Sequence, residues 1–188
     1  MTFRILGILA LALLGALTLA GCSKTSVPSG CTPVKDFQVD RYMGTWYEVA
    51  RLENKFEKGM THCTADYSLK ESGAVQVVNR GWKPEDLAWK ESVGTALFLG
   101  EKTVGSLRVS FFGPFWGGYH ILALDQEAYQ WAMVAGPNRE YLWFLSRTPQ
   151  MDPAVLERLK EEARKLDFPV DQLLLVDQAD RPEDPQKS

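Results

Sequence analysis

Few side chains here can attack, ligate or trade a proton near neutral pH: His62, His120 and the cysteines Cys22, Cys31 and Cys63. His62 adjoins Cys63, but neighbours on an extended strand point to opposite faces, which argues against a cysteine–histidine nucleophilic pair. No H-x-x-x-H, C-x-x-C or G-x-S-x-G spacing occurs, so the residues for zinc hydrolysis, dithiol exchange or a serine nucleophile elbow are missing. Acidic residues interleave with basic ones, as on solvated faces. No metal set, cofactor or catalytic centre is expected. Were the chain an enzyme, Cys63, Glu48 or His120 would have to carry the reaction.

The aromatic residues say more. Trp46 follows Gly44 in Gly44-Thr45-Trp46-Tyr47-Glu48, and Arg147 closes Tyr141-Leu142-Trp143-Phe144-Leu145-Ser146-Arg147. A guanidinium laid over an indole face is held by cation–π attraction, and its remaining N–H groups can reach carbonyls. Such a pair would join an early strand to a late one and plug one end of a closed sheet.

The elements that must position this pair are short strand-like runs between turn signals. They are Gly44–Leu52, His62–Leu69, Val75–Gly81, Lys90–Leu99, Leu107–Phe112, Tyr119–Leu124, Tyr129–Ala135 and Tyr141–Arg147, with a helical turn near Asp40–Met43. Sequential hairpins without a crossover helix fit either a closed barrel or an open sandwich. One helix follows. Asp152 suits its N-cap and Pro153 its first turn, while Leu156, Leu159, Ala163 and Leu166 make a stripe for the barrel wall. Arg158–Glu162 and Glu161–Lys165 are spaced for ion pairs, and Pro169 is expected to end the helix. Leu173–Val176 can add a ninth strand.

Strand alternation anchored on Arg147 turns Leu145, Trp143 and Tyr141 inward. It does the same for Val75, Val77 and Asn79, for Leu107, Val109 and Phe111, and for Tyr119, Ile121 and Ala123. Cys63 shares parity with Ala65, Tyr67 and Leu69. A lining of apolar groups with a few polar contacts suits a mostly hydrocarbon ligand. Loops at 53–60, 82–89, 112–118 and 136–140 gather at one end, the expected mouth. There Phe115 and Trp116 can meet a bilayer, a ligand tail or a second subunit, and Arg139, Lys55 and Lys58 can attract an acidic headgroup.

The 188 residues carry a net charge of −3, enough chain for one real core. The charges are mixed, with no basic stripe for nucleic acid. Arg4 precedes an apolar run, Ile5 to Leu19, that ends in Leu19-Ala20-Gly21-Cys22, and this is similar to a bacterial lipoprotein cleavage box. In that class Cys22 becomes the acylated N-terminus, and Ser23 in place of Asp points to the outer membrane. Residues 23–33 are rich in Ser, Thr, Pro, Gly and Lys and read as a flexible tether. An oxidising compartment permits a Cys31–Cys63 disulfide; the inward parity of Cys63 argues against it. Both states stay open at this point.

Gly44-x-Trp46-Tyr47-Glu48, Leu122-Ala123-Leu124-Asp125 and Trp143-x-x-x-Arg147-x-Pro149 together resemble the three signature regions of the lipocalins. Residues 111–119 and 141–143 are similar to the bacterial outer-membrane branch, kin to apolipoprotein D. One departure is Leu124-Asp125-Gln126, where the family often has Thr-Asp-Tyr. The resemblance implies an all-β fold: an eight-stranded antiparallel up-and-down lipocalin β-barrel with one C-terminal α-helix packed on its wall. It divides the chain into a signal peptide (1–21), a tether carrying lipidated Cys22 (22–33), the lipocalin domain (34–178) and a disordered tail (179–188). It implies a closed-end cluster of Gly44, Trp46 and Arg147, and a lipid cavity using Tyr67, Asn79, Val109, Phe111, Tyr119, Tyr141 and Trp143. The expected ligand is a fatty acid or lysophospholipid, held by a periplasmic domain anchored to the outer membrane, with a homodimer left open. The rival readings are a lipid-modifying enzyme on the same fold and an interaction module using the Phe115–Trp116 hairpin.

Overall fold

The computed structural model of the chain describes residues 25–180 and 182–183. The expected leader and Cys22 lie outside the described residues. One helical turn, α1 (Val39–Tyr42), precedes eight strands: β1 (Gly44–Leu52), β2 (Thr61–Leu69), β3 (Val75–Lys83), β4 (Ala88–Phe98), β5 (Ser106–Ser110), β6 (Gly117–Leu124), β7 (Trp131–Ala135) and β8 (Leu142–Ser146). Helix α2 (Pro153–Lys165) and a short β9 (Leu173–Leu175) complete the order. From β1 to β8 each strand pairs antiparallel with the next, and β1 pairs with both β2 and β8, so the sheet closes. Closure removes the exposed edges that would otherwise template aggregation.

Alternating residues build two apolar layers. The inner one includes Trp46, Tyr67, Val75, Val77, Leu107, Ile121 and Leu145. The outer one covers the wall beneath α2, where Leu159 and Ala163 are fully buried among Met133, Leu142 and Phe144. The Asp152 carboxylate caps α2 by accepting from the Ala154 and Val155 amides at 2.7 and 3.3 Å. Arg158 stacks over Trp131 at 4.5 Å and also pairs with Glu162 at 4.0 Å. The expected Glu161–Lys165 pair gives way to Glu157–Lys160 at 2.7 Å among the described residues. The helix stops at Leu166, ahead of Pro169, because Asp167 takes a left-handed φ of 60° and frees the chain to turn back.

At its far half β1 pairs with β9 instead of β2, from Ala50↔Leu175 to Leu52↔Leu173. The seam between β1 and β2 is filled from the C-terminal side. The His62 amide donates to Asp177 O at 2.7 Å, and the Gln178 side-chain amide donates to both Glu48 O and Cys63 O, at 2.8 and 2.9 Å.

Several expectations are corrected. The segment 25–33 is no loose tether: Ser26 O and Ser29 O accept from His120 Nε2 and Arg139 Nη2 at 2.9 and 2.7 Å. Part of the supposed tail is docked too, with His62 Nε2 on Ala179 O and Trp89 Nε1 on Glu183 O. The expected 82–89 loop is shorter than that, since β3 runs to Lys83 and β4 starts at Ala88, with a 3₁₀ turn, Pro84–Asp86, between them. There Trp82 and Trp89 face each other across the hairpin, rings 5.6 Å apart. Ala123 leaves the inner face because the β6–β7 register shifts between Ile121 and Ala123, turning it to the outer layer. Leu69, at the strand's end, is exposed.

Cys31 and Cys63 are free thiols, so the disulfide is not formed. Cys63 lines the inside, whereas Cys31 packs on the outer layer near Arg139 and Asp167. The barrel wall stands between them.

Candidate functional site

The closed end is built on Trp46 and Arg147. Trp46 is fully buried, its indole N–H donating to Tyr42 O at 2.8 Å. The Arg147 guanidinium lies 3.9 Å from the Trp46 ring centroid. It also donates to Thr45 O, Arg41 O and Tyr129 O at 2.9, 2.8 and 3.3 Å. Gly44 sits beneath it with φ of 91°, a conformation that disfavours any side chain. Asp125 organises the neighbouring turn despite its altered flank, accepting from the Ala128 and Gln130 amides at 3.2 Å each. Gln126 reaches back to Lys35 O at 2.5 Å.

Above this plug the barrel is hollow. A cavity of about 720 Å³ opens at the far end, within the size range of small-molecule sites. All seven residues expected to line it do so: Tyr67, Asn79, Val109, Phe111, Tyr119, Tyr141 and Trp143. Phe111 crosses closely over Gly94, where an added Cβ would lie 2.8 Å from its ring. The expected mouth loops frame the opening, with Phe56, Phe112, Phe115 and Pro137 among its residues. Of the expected headgroup cations, Arg139 faces outward, bonded to Leu166 O at 2.7 Å and to Ser29 O. Lys55 lies over the Phe56 ring.

Two polar features interrupt the lining. At the floor the Tyr119 hydroxyl bonds those of Tyr42 and Tyr67 at 2.7 and 2.8 Å. Burial raises the pKa of all three, so they remain neutral.

Higher up is a cluster that alternation did not disclose. Register shifts between Glu48 and Ala50, and this bulge brings Glu48 and Arg51 together at 2.7 Å, both buried. Arg51 also donates to Glu57 O and Met60 O at 2.8 and 3.0 Å. The Glu57 carboxylate accepts from Trp143 Nε1 at 2.9 Å and Asn54 Nδ2 at 2.6 Å, and bonds Glu48. Glu48, Glu57, Asn54 and Cys63 face the cavity. Burial, then the Glu57 charge, pushes the Glu48 carboxyl well above its usual range; Arg51 opposes them.

A carboxyl group with a raised folded-state pKa adds stability below its unfolded pKa. That contribution fades as pH climbs toward the folded value. Glu48→Gln, which mimics the protonated acid, should therefore flatten the stability profile above about pH 4.3. Urea unfolding of both proteins from acid to neutral pH checks this, with the variant gaining on the parent as pH rises.

Of the residues that would serve an enzyme, Glu48 and Cys63 share the Arg51 cluster on the cavity wall, whereas both histidines lie elsewhere. His120 lies outside the cavity beneath residues 25–26, its ring held neutral by burial, with Nε2–H on Ser26 O and Nδ1 accepting from Ser106 at 3.0 Å. His62 bonds the C-terminal segment. Burial, then the Glu48 and Glu57 charges, raises the Cys63 pKa far above the thiol range, and a thiol that keeps its proton is a poor nucleophile. No cluster of three or more His, Cys, Asp or Glu suited to a metal ion occurs among the described residues. No described helix is long and apolar enough to cross a membrane.

Comparison with known proteins follows the same lines. The family model described as "Lipocalin-like domain" matches residues 37–178. The outer membrane lipoprotein Blc of Citrobacter freundii is 43% identical over 93% of this chain and 98% of its own. Rat (Rattus norvegicus) apolipoprotein D is 32% identical over 80% of this chain and 82% of its own. Among solved structures, the cockroach allergen Per a 4 superposes with a TM-score of 0.65 at 23% identity, covering 83% of this chain and 96% of that one. A closed barrel, an indole–guanidinium plug, an open apolar cavity and these matches together place the chain in the lipocalin-like family.

Proposed function

We propose that this protein is an outer-membrane lipoprotein that holds a fatty acid or lysophospholipid in its barrel, for storage, transport or upkeep of the cell envelope. The domain stands in the periplasm, anchored through acyl chains on Cys22. The observation that carries the reading is the cavity: about 720 Å³, open at one end and lined mainly by apolar side chains. A 16-carbon tail entering it would gain up to about 12 kcal/mol gross at about 0.8 kcal/mol per buried CH₂. Lost translational and chain freedom offsets much of that, which favours tail-driven binding with loose headgroup selection. Relatives named outer membrane lipoproteins support the location, as does the cleavage-box spacing at Cys22.

Titration of the protein with palmitate and with palmitoyl lysophospholipids, followed by tryptophan fluorescence and calorimetry, tests the reading. Saturable binding is expected; none, with the fold intact, overturns it. Trp143 lines the cavity, stacks with Tyr141 at 6.0 Å between centroids and holds Glu57. Trp143→Ala should weaken tail binding roughly tenfold, about 1.4 kcal/mol, in the same calorimetric titration.

A further inference from the structure

We infer that the cavity floor is a polar subsite of its own, suited to a lipid with a neutral oxygen, hydroxyl or keto, at the inner end of its chain. This rests on the reading above that the barrel holds a single-chain lipid. The tyrosine trio carries it.

Tyr42, Tyr67 and Tyr119 come from α1, β2 and β6, and all three line the cavity. Tyr42 and Tyr67 are buried. The Tyr42 ring packs on Trp46 of the plug and lies 5.4 Å from the Tyr67 ring, which stands 6.0 Å from that of Tyr119. Each phenol has one proton to donate. The trio contains two hydroxyl–hydroxyl bonds, Tyr42–Tyr119 and Tyr119–Tyr67, and each bond uses one proton. One O–H is therefore left over, whichever way the donors are assigned. The three hydroxyls have no further hydrogen-bond partner among the described residues. Their oxygens keep lone pairs as well, so a ligand hydroxyl could both accept and donate there. The inner layer around them is hydrocarbon, with Phe37, Val75, Val77, Leu107 and Ile121. A bare methyl terminus pressed onto this floor would leave the donor unmet, which costs more than an ordinary bond returns. A chain with an oxygen near its inner end satisfies the donor and still fills the apolar walls.

The oxygen must be neutral. Arg147 is the cation of the plug, but its N–H groups are taken by Thr45 O, Arg41 O and Tyr129 O. No cation among the described residues is hydrogen-bonded to the trio. A carboxylate lowered to the floor would exchange water for one phenol proton, and desolvating a charge outweighs one such bond. The acid or phosphate end of the lipid therefore stays at the mouth, and the selecting oxygen lies at the other end. The same oxygenated chain can arrive as a free acid or as the acyl group of a lysophospholipid.

The test is calorimetric titration with palmitate, laurate and the ω-hydroxy derivative of each, two lengths that allow for the depth of the cavity. A purely apolar floor would make each hydroxylated chain roughly 100-fold weaker than its parent. At least one should instead match or exceed its parent. The variant Tyr42→Phe/Tyr67→Phe/Tyr119→Phe keeps the rings and removes every hydroxyl. In it that hydroxylated chain should lose about tenfold relative to its parent, while the parent binds no more weakly. A single substitution would not serve, because the two remaining hydroxyls still leave at least one proton over. An unchanged ratio in the triple variant overturns the inference, as do hydroxylated chains weaker than their parents by about tenfold or more at both lengths. Should the triple variant fail to fold, the wild-type protein decides. The Raman doublet of tyrosine, which reports whether a phenol donates, should change with a hydroxylated chain and not with its parent. A doublet that stays put means that water alone serves the trio, and overturns the inference. Palmitate that binds while both hydroxylated chains are disfavoured removes the floor subsite alone; no binding by any of the four, with the fold intact, removes the lipid reading with it. Titrating the favoured chain as its lysophosphatidylethanolamine distinguishes delivery as a lysolipid from delivery as a free acid.

Discussion

Replacing Trp46 by alanine is expected to cost roughly 3–5 kcal/mol of folding stability, the range for a buried large aromatic side chain. The ring is fully enclosed, packs 4.7 Å from Tyr42, donates to Tyr42 O and carries Arg147 on its face. Its loss removes apolar contact and leaves a guanidinium without its stacking partner. Arg147→Ala should cost less, about 1–3 kcal/mol, because the indole stays packed while the attraction and the contacts to three carbonyls go. For a domain of this size each kcal/mol lowers the melting temperature by roughly 2–4 °C. Calorimetric melting should therefore order wild type above Arg147→Ala above Trp46→Ala. A melting temperature unchanged in Arg147→Ala would refute its plugging role.

Breaking the ion pair on the cavity wall should be comparably severe. Arg51 is 3% exposed at its side chain and Glu48 7%, so Arg51→Leu strands an acid that already shares its site with Glu57. Removing one partner of a buried pair typically costs about 3–5 kcal/mol, since the other is left without compensation. The same change releases Glu57 O and Met60 O, which Arg51 holds within the β1–β2 rim loop. Combining Arg51→Leu with Glu48→Gln should recover part of the loss, because the acid that Arg51 paired with is then gone and Glu57 is the one carboxylate left in the cluster. A double-mutant cycle by urea unfolding measures that coupling; strictly additive effects would show that the two side chains do not act together.

The parts of this molecule that sequence discloses are those governed by period-two alternation. Tyr67, Val77, Val109 and Trp143 could be assigned inward because their strands run undisturbed past them. The Trp46–Arg147 plug was legible for the same reason, joined to the chemistry of an indole and a guanidinium. Glu48 and Arg51 were not legible as an interior pair. Three residues apart, they would face opposite sides of a regular strand, and a bulge depends on pairing with a distant strand. Ala123 was misplaced by the same effect. Residues 25–33 look loose by composition, yet they are fixed by backbone carbonyls that every residue carries, meeting the side chains of His120 and Arg139. The Cys31–Cys63 bridge stayed open because parity turns Cys63 inward but does not place Cys31 at all.

The seam between β1 and β2 is completed by residues 173–178, with Gln178 hydrogen-bonded to both strands. A chain synthesised or exported N-terminus first cannot draw that zip shut until its final stretch has emerged. Maturation of this vessel is thus tied to delivery of the whole polypeptide, and a product cut short before Leu173 would reach its compartment with a gaping side.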